Sequence, residues 1–234
     1  MANEQVSQKN SKAIAAAKAD SLALDSLRFI WLADNPIDSV FRSRGFVDLS
    51  KHDSLFCIDQ RYASTNNFTG KNLYGKIRGC WLHQLAADKL ISAAKFLKES
   101  HSQYKILIYD AARPQKAQFE LYAAACSLGS CNYVAVPWAG SLHNFGFSVD
   151  VGLADSFCVE QNLGTPFDSF DSLAQPRYEQ LFLRQGRLDS TAWERRKVLR
   201  AAMRHGGFRR IDLEWWHFNA LHRDTIRKYY KIVP

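Results

Sequence analysis

Two short stretches carry the residue types from which hydrolytic sites are built. In SLHNFGFSVD, residues 141–150, His143 and Asp150 stand seven positions apart around Gly146. Side chains alternate faces along a strand, so an odd separation would put the two on opposite sides. They converge only if the chain turns between them, and Asn144, Phe145 and Gly146 are turn chemistry. In EWWHF, residues 214–218, Glu214 and His217 are three apart, which places them on one face of a helical turn but not of a regular strand. Two imidazoles and a carboxylate make three ligands for zinc and leave a fourth tetrahedral position for water. Glu214 is then the free carboxylate that accepts the water's proton. Each stretch also has a plainer reading. The first is a polar loop histidine ahead of an unrelated strand aspartate, and the second an aromatic core segment with polar edges.

A third piece is YDAARPQ, residues 109–115. Arg113 follows the end of an apolar strand, a rigid place from which to present a functional group. Its permanent charge and forked donors suit an oxyanion developing beside a metal. A structural ion pair is the alternative for a lone arginine.

The elements that must position these residues follow from periodicity. Leu82, Leu85, Ala86, Leu90, Ala93, Ala94 and Leu97 fall at helical spacing and predict a helix from Leu82 to Leu97. Tyr104–Tyr109 reads as a buried strand, and Lys116–Leu128 as a second helix. Residues 145–153 read as another strand, 176–184 and 191–205 as helices, and Arg210–Asn219 as a final strand-like piece. Strands and helices mix without regular βαβ alternation. The fold expected is a single α+β domain, a small mixed or antiparallel sheet packed with helices. Residues 1–40, polar and alanine-rich at the start, read as a helix-prone extension ahead of a domain spanning 41–234.

The net charge is +8, and nine Lys or Arg between Arg184 and Arg210 face only Asp189 and Glu194. No nucleic-acid-binding signature accompanies the charge, so the stretch reads as a solvated helix face and no nucleic-acid partner is expected. No run approaches the length of a membrane span, and no signal region opens the chain. Five cysteines lack paired zinc spacing, and their odd number favours a reducing, cytoplasmic setting. Cys126 and Cys131 would close a small loop in an exported protein, which keeps a periplasmic location as the alternative.

Taken together and in order, these motifs resemble the D-alanyl-D-alanine dipeptidases, zinc peptidases related to the D-Ala-D-Ala dipeptidases of vancomycin-resistance clusters. The resemblance extends through DQRYASTNNFTG (59–70), LGTPFD (163–168) and the run from Arg195 to His217, covering roughly residues 45–220. It implies one zinc ion per chain on His143, Asp150 and His217. It also implies Glu214 as general base and then proton donor, and Arg113 as the stabiliser of the tetrahedral transition state. Tyr62 and Asp168 match positions near the dipeptide's ammonium, and Ser141 one near its carboxylate. The implied reaction is hydrolysis of D-Ala-D-Ala to two D-alanines, linked to peptidoglycan metabolism. A D,D-carboxypeptidase or peptidoglycan endopeptidase using the same metal set is the alternative. Ser148 stands where the family usually has Ala, and Asn144-Phe145 replaces a more polar pair.

Overall fold

A computed structural model of the chain describes residues 37–233. The chain divides into two compact units, Met1–Val40 and Phe41–Pro234. All but the last four residues of the expected N-terminal extension lie outside the described residues.

The second unit is α+β. Helix α1 (Ile37–Ser43) begins the described chain, followed by β1 (Phe46–Asp48), β2 (Phe56–Ile58) and β3 (Trp81–His83). Next come α2 (Gln84–Ser100), β4 (Tyr104–Asp110), α3 (Gln115–Ser127) and β5 (Ser148–Asp155). The C-terminal part holds α4 (Glu179–Arg184), α5 (Ser190–His205), β6 (Arg209–Arg210), β7 (His217–Asn219) and α6 (Arg223–Tyr229). A five-stranded sheet runs in the order β2-β4-β5-β7-β6. Its β2–β4 pair is parallel and the other pairs are antiparallel, while β1 and β3 form a separate antiparallel ribbon. Ile106, Ile108, Val151 and Leu153 on one face of β4 and β5 and Leu107, Tyr109 and Ala154 on the other are all buried, as strands covered on both faces must be.

The helix predicted from Leu82 starts two residues later. Leu82 belongs to β3, paired with Val47, and Leu85 is exposed; Ala86, Leu90, Ala93, Ala94 and Leu97 form the buried stripe. The basic stretch differs more. Asp189 starts α5 by accepting the Ala192 N–H at 3.0 Å, and Ala192, Leu199, Ala202 and Met203 face inward. Arg196, however, is buried rather than solvated. Its Nε donates to the Leu163 carbonyl at 2.6 Å and its Nη1 to Glu179 at 3.2 Å, while Arg200 donates to the same carboxylate at 2.8 Å. Part of the basic excess therefore ties the 163–179 segment to α5. At the end of that helix, a Cβ on Gly206 would sit 2.4 Å from the Lys89 carbonyl oxygen, so only glycine lets α5 close on α2.

The expected strand over Arg210–Asn219 is broken. Two short strands, β6 and β7, flank a bent segment through Glu214, Trp215 and Trp216. The cysteines also depart from the reducing expectation. Cys57 bonds Cys158 and Cys126 bonds Cys131, so the odd count reflects two bridges plus the buried Cys80. Among the described residues, no helix is long and apolar enough to cross a membrane.

Candidate active site

Strand register assembles the centre. Asp110 lies opposite Asp150 across β4 and β5, and Asp150 lies opposite His217 across β5 and β7. A register shift between Ile108 and Asp110 marks a bulge, a device that re-aims side chains. The turn expected between His143 and Asp150 is a 3-10 turn over Leu142–Phe145. Ser141 Oγ accepts the His143 N–H at 3.4 Å, and Asn144 Oδ1 accepts the Ser141 N–H at 2.7 Å. Gly146 closes the turn at φ +73, where a Cβ would also strike the Phe46 ring. The turn is stitched to the Arg113 segment: Arg113 N–H donates to His143 at 3.1 Å, and Asn144 Nδ2 to the Arg113 carbonyl at 2.8 Å.

His143 Nε2, Asp150 Oδ1 and His217 Nδ1 form a triangle with sides of 3.0, 3.2 and 3.3 Å. Tetrahedral coordination with bonds of about 2.0–2.1 Å separates ligand atoms by about 3.3–3.4 Å. The triangle thus fits a single metal ion. The outward nitrogens fit the same role. His143 Nδ1 donates to the Ala111 carbonyl at 2.8 Å and His217 Nε2 to Asn219 Oδ1 at 2.9 Å. Each bond leaves the inward nitrogen as a lone pair, the arrangement that orients metal-binding histidines. Ser148 Oγ donates in turn to Asn219. Those tautomers are the metal-binding ones. With no metal, burial alone would raise the Asp150 pKa, but His143 and His217, acting as positive charges and donors toward Oδ1, override it and hold the carboxylate ionised far below its ordinary range.

Arg113 reaches the same centre through Asp110, a residue that sequence reasoning missed. Asp110 is fully buried, and its Oδ2 accepts Arg113 Nε at 2.9 Å and Nη2 at 2.6 Å. Tyr74 O–H and the Ala111 N–H donate to its other oxygen. Arg113 Nη1 donates to Gln118 at 2.8 Å, and Nη2 stands 3.6 Å from Asp150. Burial disfavours the guanidinium charge, but Asp110 outweighs it and the group stays protonated. An aspartate ending a buried strand, three residues before Arg113, was the available signal. Gln118, Asn219 and Tyr74 carried none, because their partners are distant in sequence.

Glu214 Oε2 lies 3.8 Å from His217 Nδ1, brought there by the bend ahead of β7. Burial pushes its carboxyl up to about 7, against the lowering effect of His217. Trp215 anchors the bend by donating to Thr165 at 2.8 Å. Thr165 belongs to the loop carrying Asp168, whose two oxygens both lie 2.9 Å from Tyr62 O–H. Asp168 holds φ +60, an uncommon conformation for a residue other than glycine. Burial and then Asp150 push its carboxyl up to about 8. Tyr62, Arg113, Ser141, Asp168 and Glu214 line one cavity of about 450 Å³ together with His143, Asp150 and His217. All eight residues singled out from the sequence thus meet in one pocket.

A metal-capable triangle, a free carboxylate and a buried arginine in one cleft describe a peptidase site, and the comparisons agree. The chain belongs to the D-Ala-D-Ala dipeptidase family, whose model matches residues 42–233. It is similar to the D-alanyl-D-alanine dipeptidase of Escherichia coli (strain K12), with 34% identity over 161 residues, 69% of this chain and 77% of that protein.

Proposed function

We propose that the protein hydrolyses D-Ala-D-Ala to two D-alanines, using one zinc ion held by His143, Asp150 and His217. Two imidazoles and a carboxylate suit zinc, and both histidine tautomers present a lone pair to one point. When bound, the ion supplies Lewis acidity that acidifies water and polarises the peptide carbonyl. Glu214 takes the proton from the attacking water and returns it to the leaving amine as the C–N bond breaks. Its place beside the triangle but outside it leaves the carboxyl free to do both. Arg113 faces the developing oxyanion. Three of its five N–H bonds are committed to Asp110 and Gln118, leaving two to donate.

The observation that carries the dipeptide reading is Asp168. A carboxylate enclosed in the pocket, with a tyrosine hydroxyl as its partner, is costly unless a cation meets it. The ammonium of a free dipeptide is that cation. Residues 41–234 form the catalytic domain in this reading, with 1–40 as an extension. The two disulfides support an oxidising compartment, hence the periplasmic alternative and a role in peptidoglycan turnover.

The test compares kcat/KM for D-Ala-D-Ala and for its N-acetyl form, with metal content measured on the same samples. A strong preference for the free dipeptide, reduced in Asp168→Asn, is expected. Equal cleavage of both by the parent protein replaces the dipeptidase reading with the carboxypeptidase one.

A further inference from the structure

Asp168 gives the pocket a charge for the ammonium end of a zwitterionic substrate, and the carboxylate end calls for a cation of its own. Ser141 is a neutral partner, and its N–H is already consumed by Asn144 Oδ1. Three arginines line the cavity: Arg113, Arg223 and Arg227. Arg113 is neutralised by Asp110, which binds both its Nε and Nη2.

The other two come from α6, in the C-terminal segment. Arg227 Nη2 donates to the Gly140 carbonyl at 3.1 Å, which holds the guanidinium beside the residue preceding Ser141. Among the described residues no carboxylate pairs with Arg227, so its charge and most of its donors remain for a ligand. Arg223 lies one turn earlier on the same helix, and its nearest carboxylate oxygen, on exposed Asp224, stands 3.8 Å away. Helical spacing of four residues puts the two guanidinium groups on one side of α6. The 140–143 strip then leads directly from Arg227 through Ser141 to the ligand His143.

We propose that Arg227, assisted by Arg223, binds the C-terminal carboxylate of the substrate and makes the enzyme selective for a free C-terminus. The inference rests on the dipeptidase reading and adds the second pole of the site. A planar fork meeting a carboxylate gives charge-assisted bonds that a neutral amide cannot return. Because the contact is equally present in the ground and transition states, its loss appears in KM rather than in kcat.

The experiment measures kcat and KM for D-Ala-D-Ala and for its C-terminal amide in the zinc-loaded parent, Arg227→Gln, Arg227→Lys and the double Arg223→Gln/Arg227→Gln variant. The parent should prefer the acid. Arg227→Gln should raise KM for the acid by about 10- to 100-fold, collapse the acid-to-amide ratio, and leave kcat for the acid within about twofold. Arg227→Lys should restore part of the ratio. If Arg227→Gln keeps the parental ratio, or depresses acid and amide equally through the lost Gly140 contact, the assignment is overturned while the dipeptidase reading stands. A parent inactive on both dipeptides overturns the dipeptidase reading and this assignment with it.

Discussion

Asp150 and His217 face each other directly across β5 and β7, with Oδ1 and Nδ1 3.0 Å apart. Two of the three atoms proposed to hold the metal are therefore positioned by a backbone ladder rather than by a loop, the kind of support that preorganises a site. His143→Ala and His217→Ala should each purify with little zinc by mass-spectrometric metal analysis, against one ion per chain in the parent. Asn219→Ala frees the His217 tautomer and should weaken metal affinity by about 10–100-fold. Parental occupancy under competition with a chelator would remove Asn219 from this role.

Glu214 stands beside His217 without belonging to the triangle. Glu214→Gln should keep the metal and lose about 10²–10⁴-fold in kcat, the range of general acid–base catalysis. An unchanged kcat would exclude it as the base, and loss of zinc would make it a ligand.

Asp110 is the buried counter-charge of Arg113. Removing one partner of such a pair leaves an uncompensated charge and costs about 3–5 kcal/mol. Asp110→Ala should show that loss in urea unfolding. Arg113→Lys, which keeps the charge but not the fork, should lose mainly kcat, by an amount equivalent to about 2.7–4 kcal/mol of transition-state stabilisation. Comparable unfolding curves for the parent and Asp110→Ala would contradict the assigned pairing.

Asp168 sets a pH signature in the metal-free protein. Its folded pKa of about 8 lies above the unfolded value of about 3.9, so the folded chain binds more protons between these limits. Its contribution is full below about pH 4 and is lost as pH rises to about 8, with a slope of at most about 1.4 kcal/mol per unit. Glu214 acts with the same sign up to about pH 7. Denaturant midpoints of chelator-treated protein should therefore fall across this range, and fall less in Asp168→Asn. An identical slope in that variant would mean that Asp168 is not the titrating group.

The Cys57–Cys158 bridge closes a span of 101 residues between β2 and the segment after β5. Its removal in a Cys57→Ala/Cys158→Ala variant should cost about 2–4 kcal/mol. Thiol quantification under denaturing conditions should find one free cysteine per chain, Cys80, in protein produced in an oxidising compartment. Five free thiols there would argue against both bridges.

The chain by itself determined its local elements and the chemistry they hold. The helix around Leu90 and Ala93, the strand YKILIYD and the turn at Asn144–Gly146 are written in spacing and residue type over a few positions. The same short range reveals His143 with Asp150 and Glu214 with His217, because each pair lies within one turn or bend. Only the tertiary structure decided which of these meet. Asp110 lies three residues from Arg113, but only β4–β5 register sets it opposite Asp150 and beside the His143–Asp150–His217 triangle, a relation that no window of sequence displays. Arg196 left its expected solvent-facing position because Glu179 and the Leu163 carbonyl, on other elements, satisfy its charge and donors. Arg227 reaches Gly140 from 87 residues away, and Cys57 finds Cys158 across 101. Such partners are chosen by packing and strand pairing, which bring distant positions together after local propensity has shaped each piece.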